Sequence, residues 1–397
     1  MQTQNLPSNK RNVDTFIFKT ALFSIAATTV LGSTLIAPSL PALEKHFSHV
    51  DNIDFLSKLI LTLPALFIMI FSPISGFMLE RFGRLKLIYP ALILWSVMGT
   101  SGFFLDNIYL LLISRAIFGI STAFLMTGVS VLLSDYYVGI KREKALSLQG
   151  FFMAFGGAVF LILGGYLSNL DWRYPFLAYL LGVVILIFAI FMLFEPIREV
   201  NAKKDTDLLN DSDRKFNFLK FVPVYLLGIF CMAMFYVAPT QLPSFIINTL
   251  GMDGSKVGIS MAVASVSMAI FSLFYNRLRI YLSIFKIHFL GLFLVGSSFM
   301  TVGVFHNYFA TLVAFVLMGA GLGFMMVNNS SWLFRLAKDT ERAKAYGFLA
   351  ASLFMGQFIS PIITQPVVYY FGLIKMFCIF GGLLYVIAFL FLILKSK

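Results

Sequence analysis

Residues 55–86 read FLSKLILTLPALFIMIFSPISGFMLERFGRLK, a long apolar run that ends in a short basic loop. A helix that crosses the hydrocarbon core of a membrane needs about 20 mostly apolar residues. The run from 55 to 78 meets this length. The arginines and the lysine that follow it indicate where the chain leaves the apolar phase. This stretch therefore predicts a transmembrane helix followed by a charged loop.

The same pattern recurs along the whole chain. Hydrophobic residues make up 59% of the 397 residues and charged residues 12%, whereas about a quarter of a soluble domain is charged. This composition excludes an ordinary soluble enzyme, a nucleic-acid-binding domain and a disordered chain. The first run is too long for the apolar region of a signal peptide, so we expect it to be retained. The twelve predicted spans lie at roughly 16–37, 55–78, 87–105, 108–132, 145–167, 175–194, 221–247, 255–275, 287–305, 308–333, 345–368 and 373–394.

The basic residues predict the orientation of these spans. If the N-terminus is inside, 23 of the 30 lysines and arginines fall in inner segments and 5 in outer loops. Inner loops of membrane proteins carry this excess of positive charge. We therefore expect both termini in the cytoplasm and the chain in the plasma or inner membrane. The net charge of +12 reflects this topology, so no nucleic-acid partner is predicted.

The chain divides into two similar halves. A polar, charged segment at 195–220 separates six spans in 1–194 from six in 221–397. A constant shift of 200 residues aligns several positions of the halves: Gly119 with Gly319, Phe124 with Phe324, Met126 with Met326, Ser130 with Ser330, and Gly156 with Gly356. The sequence thus predicts an all-α integral membrane protein with twelve transmembrane helices in two six-helix pseudo-repeats. Transporters built from such repeats place their substrate between the halves.

The loop after the second span carries a specific motif. It reads Gly76-Phe-Met-Leu-Glu80-Arg81-Phe-Gly83-Arg84-Leu-Lys86. This resembles the signature loop of the major facilitator superfamily, G-x-x-x-[D/E]-R-x-G-R-[R/K], with glutamate where aspartate is usual. The resemblance covers the whole chain through its span count, linker and repeat. It implies the major facilitator fold and secondary transport.

The signature loop is expected to act as a latch. A carboxylate at Glu80 can face the positive N-terminal end of the eleventh span, near Arg342. Gly83 allows a tight turn, and Arg81 and Arg84 can hold Glu80 or Asp135. Gly76 leaves room for a helix of the other half to approach.

Two further patterns bear on the subfamily. Arg115 precedes Gly119 by four residues in the fourth span, which is similar to the family's pattern there, and an ionisable residue inside a span is a functional candidate. The Asp171-Trp172-Arg173 turn resembles the drug-exporter group. The glycine–proline pair that exporters carry in the fifth span is absent, because Phe160-Leu161 stand in its place.

By analogy with the family, spans 1, 4, 7 and 10 are expected to line the cavity. The alternative for serine and threonine residues in these spans is a hydrogen bond between packed helices, away from the cavity. Of the adjacent amides Asn328 and Asn329, one is expected to face the cavity and the other a neighbouring helix. The candidates for substrate binding or coupling are Arg115, Thr29, Ser33, Tyr236, Gln241, Asn328, Asn329 and Gln357.

Charge predicts part of the selectivity. All 18 aspartates and glutamates fall in loops or at span ends, so Arg115 is expected to be the one deep charge of the cavity. A cavity of this kind favours neutral or anionic compounds over permanent cations.

The leading functional prediction is a proton-coupled secondary transporter that exports small organic compounds by alternating access. The alternative is a carrier of metabolites, organic acids or siderophores from the same superfamily, either exporter or importer. No cluster of catalytic groups or metal ligands is evident, so neither an enzyme activity nor a cofactor is predicted. The expected partners are the small-molecule substrate, protons and the lipid bilayer, and the expected assembly is a monomer.

Overall fold

A computed structural model of the chain describes residues 13–137, 140–196, 216–338 and 341–393. Within these ranges it is helical, without strands. Twelve long helices follow one another in the order predicted. They are α1 Phe16–Thr34, α2 Ile53–Phe82, α3 Arg84–Thr100, α4 Ile108–Tyr136, α5 Ile140–Leu170, α6 Tyr174–Met192, α7 Val222–Ser244, α8 Gly254–Leu273, α9 Ile284–Val304, α10 Tyr308–Leu336, α11 Arg342–Phe371 and α12 Leu373–Ile393.

The predicted all-α membrane fold is confirmed. In the described part of the chain, nine helices are long and apolar enough to cross a membrane, and α1 and α5 carry shorter apolar stretches at Phe16–Thr29 and Phe155–Leu170. Several helices are longer than their predicted spans, since α2 has 30 residues and α5 has 31. An apolar run reports only the thickness of the hydrocarbon core, and a helix continues through the polar layer beyond it. The predicted spans of α2 and α5 were therefore too short at both ends.

Short elements join the long helices. A 3₁₀ turn at Ala37–Ser39 and a helix at Leu40–His46 lie between α1 and α2, and a helix at Tyr275–Tyr281 follows α8. An even number of consecutive spans brings α1 and α12 to begin and end on one side of the bundle. We call this the terminal side and the other the opposite side.

Glycines give the repeat a structural meaning. A Cβ atom at Gly119 of α4 would lie 2.5 Å from the carbonyl oxygen of Pro64 in α2. At the matching Gly319 of α10, it would lie 2.3 Å from the oxygen of Ala264 in α8. The two glycines are 200 residues apart, and so are Pro64 and Ala264. The same close helix crossing therefore occurs in both halves.

Apolar packing forms two large cores. One cluster draws its buried residues from the first six helices and their connections, and the other draws most of them from α7 to α12. The second cluster also includes Ala37, Leu40, Leu61 and Leu161 from the first half. The two sets of helices therefore share apolar contacts, and these four residues lie toward the opposite side.

Candidate functional site

A cavity of about 540 Å³ lies between α2 and α4 of the first half and α11 of the second. It occupies the terminal side, because its lining comes from the later parts of α2 and α4 and the beginning of α11. Its volume falls in the range of about 300–1,000 Å³ found for small-molecule sites. The lining residues are Met69, Ser72, Pro73, Met126, Thr127, Ser130, Lys344, Gly347, Phe348, Ala350, Ala351 and Phe354.

Most of this lining is apolar. Methionine and phenylalanine side chains supply the larger surfaces, and glycine and alanine residues on one face of α11 leave the space. The hydroxyls of Ser72 and Ser130 donate to carbonyls of their own helices, those of Ile68 and Met126. Met126 is among the positions that align the two halves, whereas the contribution of α2 to the lining was not predicted.

Lys344 is the charged group of the described lining. It is exposed at the beginning of α11, and its ammonium lies 5.0 Å from the ring centroid of Phe216. In the sequence analysis Lys344 is one of the inner lysines that predict the orientation of the spans. The signal that could have identified it is its spacing, because Lys344 precedes Gly347 by three residues and Ala351 by seven. These positions share one face of the helix, which carries small residues.

The structure places the predicted amides elsewhere. Asn328 is fully buried within the second half, where it donates to the carbonyl of Ile284 and accepts from the Tyr275 hydroxyl. Asn329 donates to the carbonyl of Val224 in α7 at 3.2 Å. The expectation that one of them faces the cavity was wrong, because each amide bonds to a neighbouring part of the second half.

Arg115 also lies away from the cavity. Its guanidinium is fully buried in the first half and donates to the carbonyls of Met98 and Gly99. The rings of Phe118, Phe176 and Tyr179 surround it, with centroids 4.8–5.4 Å from its central carbon. Helix carbonyls and aromatic faces thus compensate this cation, as cation–π contacts do in desolvated sites. The prediction that it charges the cavity is corrected.

Other predicted residues show a mixture of placements. Thr29 donates to the carbonyl of Ala26 in its own helix, and Tyr236 is buried in α7. The side chain of Ser33 lies outside the described part of the structure. Gln357 is buried in α11. Thr29, Tyr236 and Gln357 are not among the described lining residues of the cavity.

Gln241 belongs to a polar cluster on the opposite side. Its amide nitrogen lies 3.1 Å from the Thr364 hydroxyl and 3.4 Å from the amide oxygen of Gln365. Gln365 also accepts from Lys58 of α2 at 2.7 Å. This cluster therefore joins helices of the two halves.

Glu44 completes this cluster from the short helix Leu40–His46. Its carboxylate lies 3.8 Å from the Lys58 ammonium and accepts from the Ser57 hydroxyl at 2.7 Å. Burial raises the pKa of the Glu44 carboxyl above its ordinary value, and the neighbouring ammonium partly opposes this. Sequence reasoning missed the pair. The signal was a lysine inside the second span with an acid fourteen residues before it.

The signature loop turns at Gly83, whose φ is +107°. Arg84 then pairs with Asp135 of α4 at 2.9 Å. The backbone N–H groups of Arg84 and Leu85 donate to the carboxylate of Glu195, at 2.6 and 2.8 Å. Glu195 was missed as a member of this loop, although an acid is well suited to the N-terminus of a helix.

Three further residues of the signature loop are Gly76, Glu80 and Arg81. Glu80 is exposed and makes no ion pair within the described ranges, and Arg81 lies over the ring of Phe82. A Cβ atom at Gly76 would contact Thr127 of the same half, at 3.8 Å. The approach of the other half at Gly76 stays a prediction, since the contact found at this position lies within the first half.

Comparisons with known proteins agree with this architecture. The family model "Major Facilitator Superfamily" matches residues 22–279 and 224–397. Multidrug resistance protein 1 of Bacillus subtilis (strain 168) is 27% identical over 361 residues, which cover 89% of each chain. Quinolone resistance protein NorA of Staphylococcus aureus (strain MRSA252) is 25% identical over 354 residues, which cover 84% of this chain and 85% of that one.

A solved structure shares the fold at low sequence identity. The crystal structure of a bacterial homolog of the human lysosomal transporter Spinster matches with a TM-score of 0.74 and 16% identity, over 94% of both chains. The family match covers nearly the whole chain, and the helix order, the repeat and the signature loop agree with it. The chain belongs to the Major Facilitator Superfamily.

Proposed function

We propose that this protein exports small organic compounds across the membrane by alternating access, in exchange for protons. The cavity between the halves carries the proposal, because it has the size of a small-molecule site and lies between α2 and α4 of one half and α11 of the other. The names of the full-length relatives, a multidrug and a quinolone resistance protein, favour export over the alternative of a metabolite carrier.

The cargo chemistry follows from the lining. Methionine and phenylalanine surfaces adapt to apolar molecules of varied shape. Lys344 is the cation at the cavity, and no carboxylate occurs among the described lining residues. We therefore propose neutral or anionic amphiphiles as cargo, with Lys344 in the role that was predicted for Arg115.

The proposed mechanism moves two bodies. Residues 1–194 form one half, 195–220 the linker and 221–397 the other half, and both termini lie in the cytoplasm. The cavity then opens to the cytoplasm in this structure. The signature loop, with Gly76, Glu80, Arg81, Gly83, Arg84 and Asp135, would latch the halves when the protein turns outward, and the monomer would be the working unit.

Transport into inside-out vesicles tests the function. A panel of matched anionic, neutral and cationic dyes is supplied outside, with an imposed pH gradient, acidic inside. We expect uptake of the neutral and anionic dyes that stops when the gradient is collapsed. Ala351→Trp should abolish uptake by filling the cavity, whereas Leu383→Trp, at a lipid-exposed site of α12, should not. Uptake independent of the gradient, or equal in the two variants, would contradict the proposal.

A further inference from the structure

A buried ammonium connects the two halves. Lys58 of α2 is 3% exposed and donates at 2.7 Å to the amide oxygen of Gln365 in α11. A lysine is rarely buried unless it is paired, because removing its charge from water is costly. This cation is thus kept in place by a partner that belongs to the other half of the protein.

The groups around Lys58 are arranged to compensate its charge. The Glu44 carboxylate supplies an opposite charge at 3.8 Å. The negative charge of Asp54 in α2 interacts with both Lys58 and Glu44. From the second half, α7 carries no charged residue and those of α11 stand at its beginning, on the terminal side. That half contributes amides instead, since Gln241 shares the oxygen of Gln365.

The contact lies on the opposite side, whereas the cavity opens on the terminal side. A second bond between the halves occurs on the same opposite side, where the N–H of Gly254 donates to the Asn169 side chain at 2.7 Å. In alternating access, the contacts that close one side must break before cargo can leave there. A buried charged donor makes the Lys58 bond the stronger of the two.

We propose that Lys58 and Gln365, with Glu44 as the counterion, form a lock that closes the cargo path on the side opposite the termini. When the halves separate there, the Lys58 ammonium and the Gln365 amide form hydrogen bonds with water in place of the bond between them, and the path opens. The consequence for cargo rests on the proposed transport function, but the lock itself can be measured without any cargo.

Spin-label distances on the opposite side test the lock. Labels at Phe104→Cys and Phe305→Cys, both exposed, report the separation of the halves. The full chain is placed in lipid nanodiscs with Cys231→Ala and Cys378→Ser. We expect a short, closed distance in the wild-type background. Gln365→Ala and Lys58→Met should each lower the ratio of closed to open molecules about tenfold or more, as expected for the loss of a hydrogen bond to a charged group.

Two controls separate the lock from general destabilisation. Lys45→Met removes an exposed lysine from the neighbouring short helix and should leave the distances unchanged. Gln365→Glu keeps an acceptor for the ammonium and should stay closed. If Lys58→Met does not fold, Gln365→Ala decides, because it removes no charge.

Closed distances retained in both Gln365→Ala and Lys58→Met would overturn the lock, as would a wild-type protein that is already open. Dye transport by the same variants is measured in parallel. Absence of transport in every preparation, with the distance changes present, would refute the proposed function and leave the lock standing. Normal export with unchanged distances would do the reverse.

Discussion

One carboxylate fixes the turn between α2 and α3. Glu195 accepts two backbone hydrogen bonds at the beginning of α3, where the helix exposes N–H groups and a partial positive charge. Gly83, before the helix, can adopt its positive φ without a side-chain clash. Because Glu195 begins the predicted linker, this bond attaches the linker to the signature loop.

We expect Glu195→Ala to lower the stability of the protein by about 1–2 kcal/mol, the usual effect of losing a helix cap, and to reduce export. Thermal unfolding of the purified protein and vesicle transport measure the two effects. Asp51→Ala, at an exposed acid on the opposite side, is the control and should change neither. An unchanged melting temperature in Glu195→Ala would show that the cap contributes nothing.

Among the elements, α5 and α8 approach each other through glycine. A Cβ atom at Gly165 would lie 2.6 Å from the carbonyl oxygen of Gly254, and one at Gly258 would lie 2.4 Å from that of Leu161. Such distances leave no room for a methyl group. Gly165 and Gly258 thus let the halves meet on the opposite side even though the exporter-type glycine–proline pair is absent.

Gly165→Ala is therefore expected to weaken closure on the opposite side by about 1–3 kcal/mol, the cost of overpacking a tight contact. The labels at positions 104 and 305 should then report longer distances, and export should fall. Gly382→Ala in α12 is the matched control, because its Cβ would meet nothing within 4 Å. Equal distances in the two variants would argue against close packing as the basis of closure.

At the scale of the whole molecule, pH should shift the balance between closed and open forms. Burial in the closed form raises the pKa of the Glu44 carboxyl, whereas in the open form water returns the pKa toward 4.5. The closed form therefore binds the proton more tightly, so acid favours closure. The effect is absent above the raised pKa, grows as the pH falls through it, and levels off below 4.5.

The spin-label pair measures this dependence over a pH series. We expect the closed fraction to rise with acid in the wild-type background and to be independent of pH in Glu44→Gln. His46→Gln serves as the control, since His46 lies on the same short helix as Glu44 but pairs with Asp106 within the first half, and it should keep the dependence. A response that survives in Glu44→Gln would assign the proton to another group.

The orientation of the whole molecule can be tested by thiol labelling in intact cells. In a background without the native cysteines, we expect a cysteine at Asn210 in the linker to resist a membrane-impermeant reagent. One at His306, between α9 and α10, should react. The excess of lysine and arginine in the inner loops is the physical reason. The reversed pattern would place both termini outside.

The spans, the repeat and the family could all be predicted from the sequence. Each of these depends on local properties: an apolar run long enough for the membrane, a glycine such as Gly83 at a turn, or the Gly119 and Gly319 pair at a constant spacing. Backbone hydrogen bonds must be satisfied inside the bilayer, and a run of about 20 apolar residues does so as a helix, so the element type follows from the length and composition of the run. This is why the helix order agrees with the predictions.

The sequence did not show which polar side chains face the cavity and which form hydrogen bonds inside the bundle, because this depends on how the helices pack. Arg115 and Lys58 both stand in apolar runs, yet one packs among aromatic rings of its own half and the other reaches Gln365 in the second. The face that a residue presents depends on the rotation of its helix and on partners far away in sequence. In spans that are apolar on every side, the sequence carries little signal of that rotation.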